Sequence, residues 1–175
     1  MRGSSVTLGL DWQQLRHCLG RFATGVTVVT CWLQGRPHGL TVNSFTSVSR
    51  QPPLVLVCIA RSAKACDAMA GSPFVVNVLR ASQRELALHF AGRPQPGLEI
   101  AWEPGKVAPR LAGCLAYIEC LPWQSYDGGD HVLYLGEVID FQCQGGDPLL
   151  FYGGYFLSLP AEETQLGGGL TQWLW

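Results

Sequence analysis

Between Gly39 and Ser49, six of eleven residues carry a hydroxyl or an amide and none carries a charge. Thr41, Asn43, Ser44, Ser47 and Ser49, with the backbone groups of Val42 and Val48, can meet a ligand through many neutral hydrogen bonds. That chemistry suits a ring with a nitrogen-and-oxygen edge joined to a polyhydroxyl chain. It equally suits an edge strand followed by a solvated Ser/Thr loop. A second cluster is Arg61-Ser62-Ala63-Lys64, where an apolar run ends and a helix is expected to begin. Free N–H groups and the positive end of a helix dipole, next to two cations, make a phosphate site; the alternative is a solvated strand–helix corner. The third is Gly128-Gly129-Asp130-His131. Glycines permit close approach of another molecule, and an imidazole beside them can contact a nicotinamide, donate a hydrogen bond or pass a proton. A lone histidine at a strand edge also serves structure alone. Tyr152, Tyr155 and Phe156 read as core or dimer interface rather than as a ligand wall.

What is missing narrows the chemistry further. The sequence has no Gly-x-Gly-x-x-Gly after a strand, no P-loop, no His-Glu-x-x-His and no Gly-x-Ser-x-Gly. His17, His38, His89 and His131 are far apart, and none pairs with a carboxylate at metal-ligand spacing, so neither a metal nor a protein-borne triad is expected. Redox chemistry would then have to come from a bound cofactor. A net charge of −1 argues against nucleic acid as partner. No apolar run approaches the roughly 18 residues of a membrane span. The first residues lack the apolar core of a signal peptide, so a cytoplasmic location is expected. The seven cysteines include no Cys-x-x-Cys pair and mostly lie in apolar runs, which predicts reduced, buried thiols.

The elements that must position these clusters follow from periodicity. Apolar residues make up 47% of the 175 and charged ones 14%, enough for one domain with a substantial core. Asp11 with Gln14 predicts a capped helix carrying Leu15, Cys18, Leu19 and Phe22, stopped at Gly25. Strands are predicted over 25–31, 54–59 and 73–79, the second covered on both faces. A short helix is expected from Ser62 to near Gly71. Ser82-Gln83-Arg84-Glu85 predicts a capping box for a helix through Phe90 that stops at Gly92. From Arg93 to Gly113 the sequence is dense in Gly and Pro, which predicts a long irregular loop, a lid or ligand wall anchored by Trp102. Two extended runs, 114–126 and 131–143, flank a hairpin turn at 127–130. A last apolar segment covers 149–159, and no repeat or second domain is found.

Four separated motifs resemble the flavin reductase family in the same order. They are Arg21-Phe22-Ala23-Thr24-Gly25-Val26-Thr27-Val28-Val29-Thr30, the 39–49 segment with Pro52-Pro53-Leu54-Val55, Phe74-Val75-Val76-Asn77-Val78-Leu79, and Gly129-Asp130-His131 with Gly136-Glu137-Val138. A weaker fifth is Pro148-Leu149-Leu150 with Tyr152 and Tyr155. Strands dominate with a few short helices between them, a mainly β fold, and the resemblance implies a six-stranded antiparallel Greek-key split barrel over residues 12–157, with the 158–175 tail outside it. It implies a homodimer with flavin near the subunit interface. It also implies reduction of FMN or FAD by NADH or NADPH, with reduced flavin passed to a partner monooxygenase. Carried over, Thr41, Val42, Asn43, Ser44, Ser47, Val48 and Ser49 would line the flavin. Arg61, Ser62 and Lys64 would lie near its phosphate and His131 near the nicotinamide. No side chain acts as a nucleophile, because hydride transfer needs only stacked rings. Other activities on such a fold are a flavoprotein that keeps FMN for its own organic substrate, and a non-catalytic flavin- or haem-binding module.

Overall fold

The computed structural model describes residues 9–159. The expected 158–175 tail falls almost wholly outside them. Asp11 opens helix α1 (Trp12–Leu19) as predicted, its carboxylate accepting from the N–H groups of Gln13 and Gln14 at 2.8 and 3.2 Å. The apolar side of α1 has nothing to cover: none of its residues is buried, and Phe22 just beyond it is 79% exposed.

The chain then forms β1 (Thr24–Gly25), β2 (Thr27–Leu33), β3 (Arg36–Val42), β4 (Thr46–Arg50) and β5 (Pro53–Ala60). Helix α2 (Cys66–Met69), β6 (Phe74–Val78) and α3 (Arg84–Phe90) follow. Short strands β7 (Trp102–Glu103) and β8 (Arg110–Leu111) precede the long pair β9 (Ala116–Gly128) and β10 (His131–Cys143). A terminal hairpin, β11 (Leu150–Tyr152) and β12 (Tyr155–Leu157), adds to β1.

Seven of these strands make one antiparallel sheet in the order β3-β2-β6-β9-β10-β5-β4. β-Branched runs explain the choice of strand, and their two-residue period explains the core. In β6, Phe74 and Val76 join an apolar cluster with Val29, Val57, Ile59, Cys66 and Met69. Val75, between them, joins the opposite cluster with Val28, Leu79, Leu111 and Tyr117. The sheet is therefore covered on both faces, as a continuous apolar run requires.

Several expectations are corrected. The sheet has seven strands rather than six, and no ladder joins its edge strands β3 and β4, so it is not closed. At the turn between those edges, the Ser44 hydroxyl donates to the Cys58 carbonyl and accepts from the Cys58 N–H, both at 3.0 Å. That side chain ties the β3–β4 turn to β5, not β3 to β4. Helix α2 spans four residues and starts after Lys64, with no side-chain cap at Ala65. The capping contact before α3 is made by Gln83, which accepts from the Arg80 N–H at 3.0 Å, and not by Ser82 with Glu85. The 93–113 stretch is not wholly irregular, since β7 and β8 pair within it, Trp102 opposite Leu111. The last apolar segment folds back on itself at Gly153 and Gly154, both with positive φ.

All seven cysteines are free, and Cys31, Cys66, Cys114 and Cys120 are buried. Burial pushes the thiols of Cys31 and Cys114 up to about 11 and Cys120 to about 12, which makes them inert hydrophobes at neutral pH. Among the described residues no helix is long and apolar enough to cross a membrane, and no cluster of His, Cys, Asp and Glu could hold a metal.

Candidate functional site

The end of β3 and the turn after it bring Thr41, Val42, Asn43 and Ser44 to one wall of a pocket of about 240 Å³. Cys58, Ile59 and Ala60 of β5 make the facing wall, with Ala63 and His131 at the rim. Topology puts them there. β5 pairs with β10 so that Ala60 lies opposite His131, and the Asn43–Phe45 turn carries the chain across from β3 to β4, the outer neighbour of β5.

Two hydroxyls that promised hydrogen bonds to a ligand are already in use. The Thr41 hydroxyl donates to the Ala87 carbonyl of α3 at 2.8 Å, and Ser44 is committed to Cys58. What remains toward the pocket is the Asn43 amide and the outer backbone edge of β3, which pairs only with β2. An unpaired strand edge presents alternating N–H and C=O groups. That pattern suits a flat heterocycle with mixed donors and acceptors.

Ser47, Val48 and Ser49 lie on edge strand β4, outside the walls of this pocket. The β4–β5 register shifts between Ser47 and Ser49, leaving Val48 in a bulge and 48% exposed. The Ser49 hydroxyl accepts from the Gln51 N–H at 3.2 Å.

The Arg61–Lys64 corner divides into two roles. Arg61 Nε donates to the Gly129 carbonyl at 2.8 Å, and an Nη donates to Asp127 Oδ1 at 2.7 Å. The Arg61 backbone N–H also donates to the Asp130 carbonyl at 2.9 Å. Arg61 therefore fastens the β9–β10 turn to the end of β5, and the Asp127 carboxyl is held below its usual range by that guanidinium. Lys64 makes no ion pair among the described residues. With Ser62 and Ala63 it lines a second pocket of about 730 Å³. Since α2 begins only at Cys66 and is one turn long, the positive character here comes from the Lys64 ammonium rather than from a helix dipole.

His131 sits 2.8 Å from the Asp130 carboxylate through Nδ1. A carboxylate only accepts, so Nδ1 carries the proton and Nε2 is left as the free nitrogen. Asp130 is correspondingly held below the usual carboxylate range, first by this hydrogen bond.

Of the larger pocket, sequence reasoning had singled out Thr41, Ser62, Lys64 and the Trp102 loop as a ligand wall, but not His38, His89, Phe90 or Ile100 as parts of one site. That pocket shares Leu40, Thr41 and Ala63 with the smaller one and extends along His38, His89, Phe90, Ile100 and Trp102. Burial, then Lys64, lowers the His38 pKa, which keeps that imidazole neutral. The available signal was the pairing of an aromatic helix end, His89-Phe90, with the Trp102 loop. Gly39 allows it, since a Cβ there would stand 2.8 Å from the Phe90 ring.

Comparison with known proteins shows the family. The sequence profile described as Flavin reductase like domain matches residues 19–160. An NADH-dependent FAD reductase of Streptomyces globisporus is 43% identical over 155 residues, covering 83% of this chain and 85% of that protein. The reductase subunit HsaB of a flavin-dependent monooxygenase from Mycobacterium tuberculosis is 35% identical over 161 residues, covering 89% and 86%. The solved structure of Streptomyces globisporus C-1027 NADH:FAD oxidoreductase SgcE6 in complex with NAD and FAD fragments superposes with a TM-score of 0.79. It is 40% identical and covers 87% of this chain and 94% of that one.

Proposed function

Because the chain belongs to the flavin reductase-like family, we propose that it catalyses the reduction of FAD or FMN by NADH and delivers the reduced flavin to a partner monooxygenase. One observation carries the reading: an unpaired β3 edge, a half-buried imidazole and a cationic corner converge on two joined pockets. The pockets fit the two ends of a flavin nucleotide. Thr41 to Ser44 flank the ring site mainly through backbone and the Asn43 amide, and Ser62 and Lys64 stand where a phosphate would lie. The flavin supplies a ring that accepts a hydride. Leu40 to Ser44 of β3 and the turn after it, with Cys58 to Ala60 of β5, would hold that ring and exclude water from it, and His131 would stand beside it with Nε2 free. No residue needs to act as nucleophile or metal ligand, and proximity is the main source of rate.

On this reading the open sheet serves as a split barrel, with the gap between β3 and β4 as its flavin slot. Ser47, Val48 and Ser49 join the site from the outer edge of β4, facing the ribityl chain or a second subunit. The functional unit is a homodimer in the cytoplasm, where NADH is available.

The test is direct. Purified protein should oxidise NADH only when FAD or FMN is added in excess, and catalytic reduced flavin should leave the protein on gel filtration. Turnover with no added flavin, on flavin that stays bound, would favour a flavoprotein acting on its own substrate. NADH left unoxidised with either flavin present would refute the proposal.

A further inference from the structure

Four polar side chains are buried among the described residues, Thr27, Thr30, Asn77 and Glu119, and the last three, which the hydride chemistry does not use, reach toward one segment. Asn77 lies on β6 next to Val75 and Val76 and is fully buried. Its Nδ2 donates to the Val28 carbonyl at 2.8 Å and to Thr30 Oγ1 at 2.9 Å, and its Oδ1 accepts from the Leu111 N–H at 2.9 Å. The Thr30 hydroxyl in turn donates to the Pro109 carbonyl. Glu119 accepts from the Val107 N–H at 3.0 Å. Residues 107 and 109 lie in the connection that leads into β8, and Leu111 on β8 itself. The sheet grips this limb of the hairpin by its backbone, from inside.

The other limb faces the larger pocket. Leu111 is opposite Trp102 in the register, and the Trp102 ring meets Phe90 edge-on, 5.9 Å between centroids at 67°. Trp102, Phe90 and Ile100 form the wall across from Ser62 and Lys64. A connection as long as 93–113 would otherwise sample many positions. Three hydrogen bonds between buried side chains and its backbone favour one.

We propose that Asn77 is a positioning residue for nucleotide selectivity: through the Leu111 N–H it sets the hairpin so that Trp102 walls a subsite for an adenosine phosphate. The chemistry of the walls selects that ligand. A purine has a flat face for an aromatic side chain, and its phosphate has Lys64 as counter-ion. The adenosine comes from either FAD or the nicotinamide donor, and the inference rests on the flavin-reductase reading above.

The experiment measures dissociation constants of FAD, FMN, riboflavin and AMP, with the KM for NADH, for the full chain and for Asn77→Ala and Trp102→Leu. Trp102→Leu keeps every anchor of the hairpin and so tests the wall even if Asn77→Ala fails to fold. Expected in either folded variant is a fall of about tenfold in the FAD-to-riboflavin affinity ratio, the scale of one lost base–aromatic contact, with a matching loss for AMP. An unchanged flavin ratio with a raised KM for NADH and weakened AMP also supports the subsite and assigns it to the donor. Equal losses for riboflavin and FAD would leave Asn77 a purely structural residue and overturn the proposal, as would AMP binding that neither variant alters. Wild-type protein that binds no flavin defeats the functional reading instead, and AMP titration still decides the subsite.

Discussion

Lys64 and Arg61 look alike in the sequence, two cations at one corner, yet their surroundings give them different work. Arg61 reaches across to the β9–β10 turn, while Lys64 points its charge into the larger pocket. Lys64→Ala should therefore weaken FMN binding several-fold while sparing riboflavin, which has no phosphate, and the difference should shrink as salt screens it. Titration of both flavins at low and high ionic strength checks this, and equal losses would remove Lys64 from the phosphate site. His131→Ala should raise the KM for NADH while changing flavin affinity little. If the ring also orients the donor for transfer, kcat falls as well, and steady-state kinetics separate the two. Sequence reading singled out the imidazole as a candidate but did not call its hydrogen bond to Asp130. The capture of Arg61 by Asp127 was not legible either, because the partners are 66 positions apart and meet only once β5 pairs with β10.

Strands were the easiest elements to read. The β-branched runs at 27–33 and 74–78 declare themselves by composition, and the Gly129-Asp130 turn marks the long hairpin. What escaped were elements whose support is remote. The β7–β8 hairpin has two residues per strand and little propensity of its own, and Thr30, Asn77 and Glu119 hold the backbone of its connection and of β8 from distant strands. Likewise the hydroxyls of the 39–49 segment read as ligand donors, and two of them turned out to tie β3 to α3 and to β5. Ser44 gives the clearest test of that reassignment. Ser44→Ala strips the Cys58 N–H and C=O of their partner in a partly buried position. It should lower stability by about 1–3 kcal/mol. Urea unfolding would read this as a lower midpoint with an unchanged slope. A variant as stable as wild type, but with impaired flavin binding, would return Ser44 to the ligand.

Among the described residues, one face carries several large apolar side chains in the open. Trp12, Leu19 and Phe22 around α1 are 73%, 66% and 79% exposed, and Tyr155 and Leu157 on β12 are 73% and 46% exposed. The two groups are neighbours, because the Gly153 N–H donates to the Gly20 carbonyl at 2.9 Å. Between them lies a groove of about 460 Å³ that also touches Asn43, the residue on the wall of the ring pocket. Monomeric proteins seldom leave so many large apolar side chains together in water, and a stable interface buries about 1,600 Å² in total. A second copy of this chain on that face would cover α1 and close the flavin slot at once. The expected outcome is a dimer at micromolar concentration by sedimentation equilibrium. A Trp12→Ser, Phe22→Ser double variant should shift toward monomer, and its flavin affinity should fall with the dimer fraction and recover at higher protein concentration. That concentration dependence separates assembly from local damage, since a distorted pocket would bind poorly at every concentration. Wild-type protein with the mass of one chain and full flavin affinity would mean that the site is complete in a single subunit, and that α1 meets something other than its own copy.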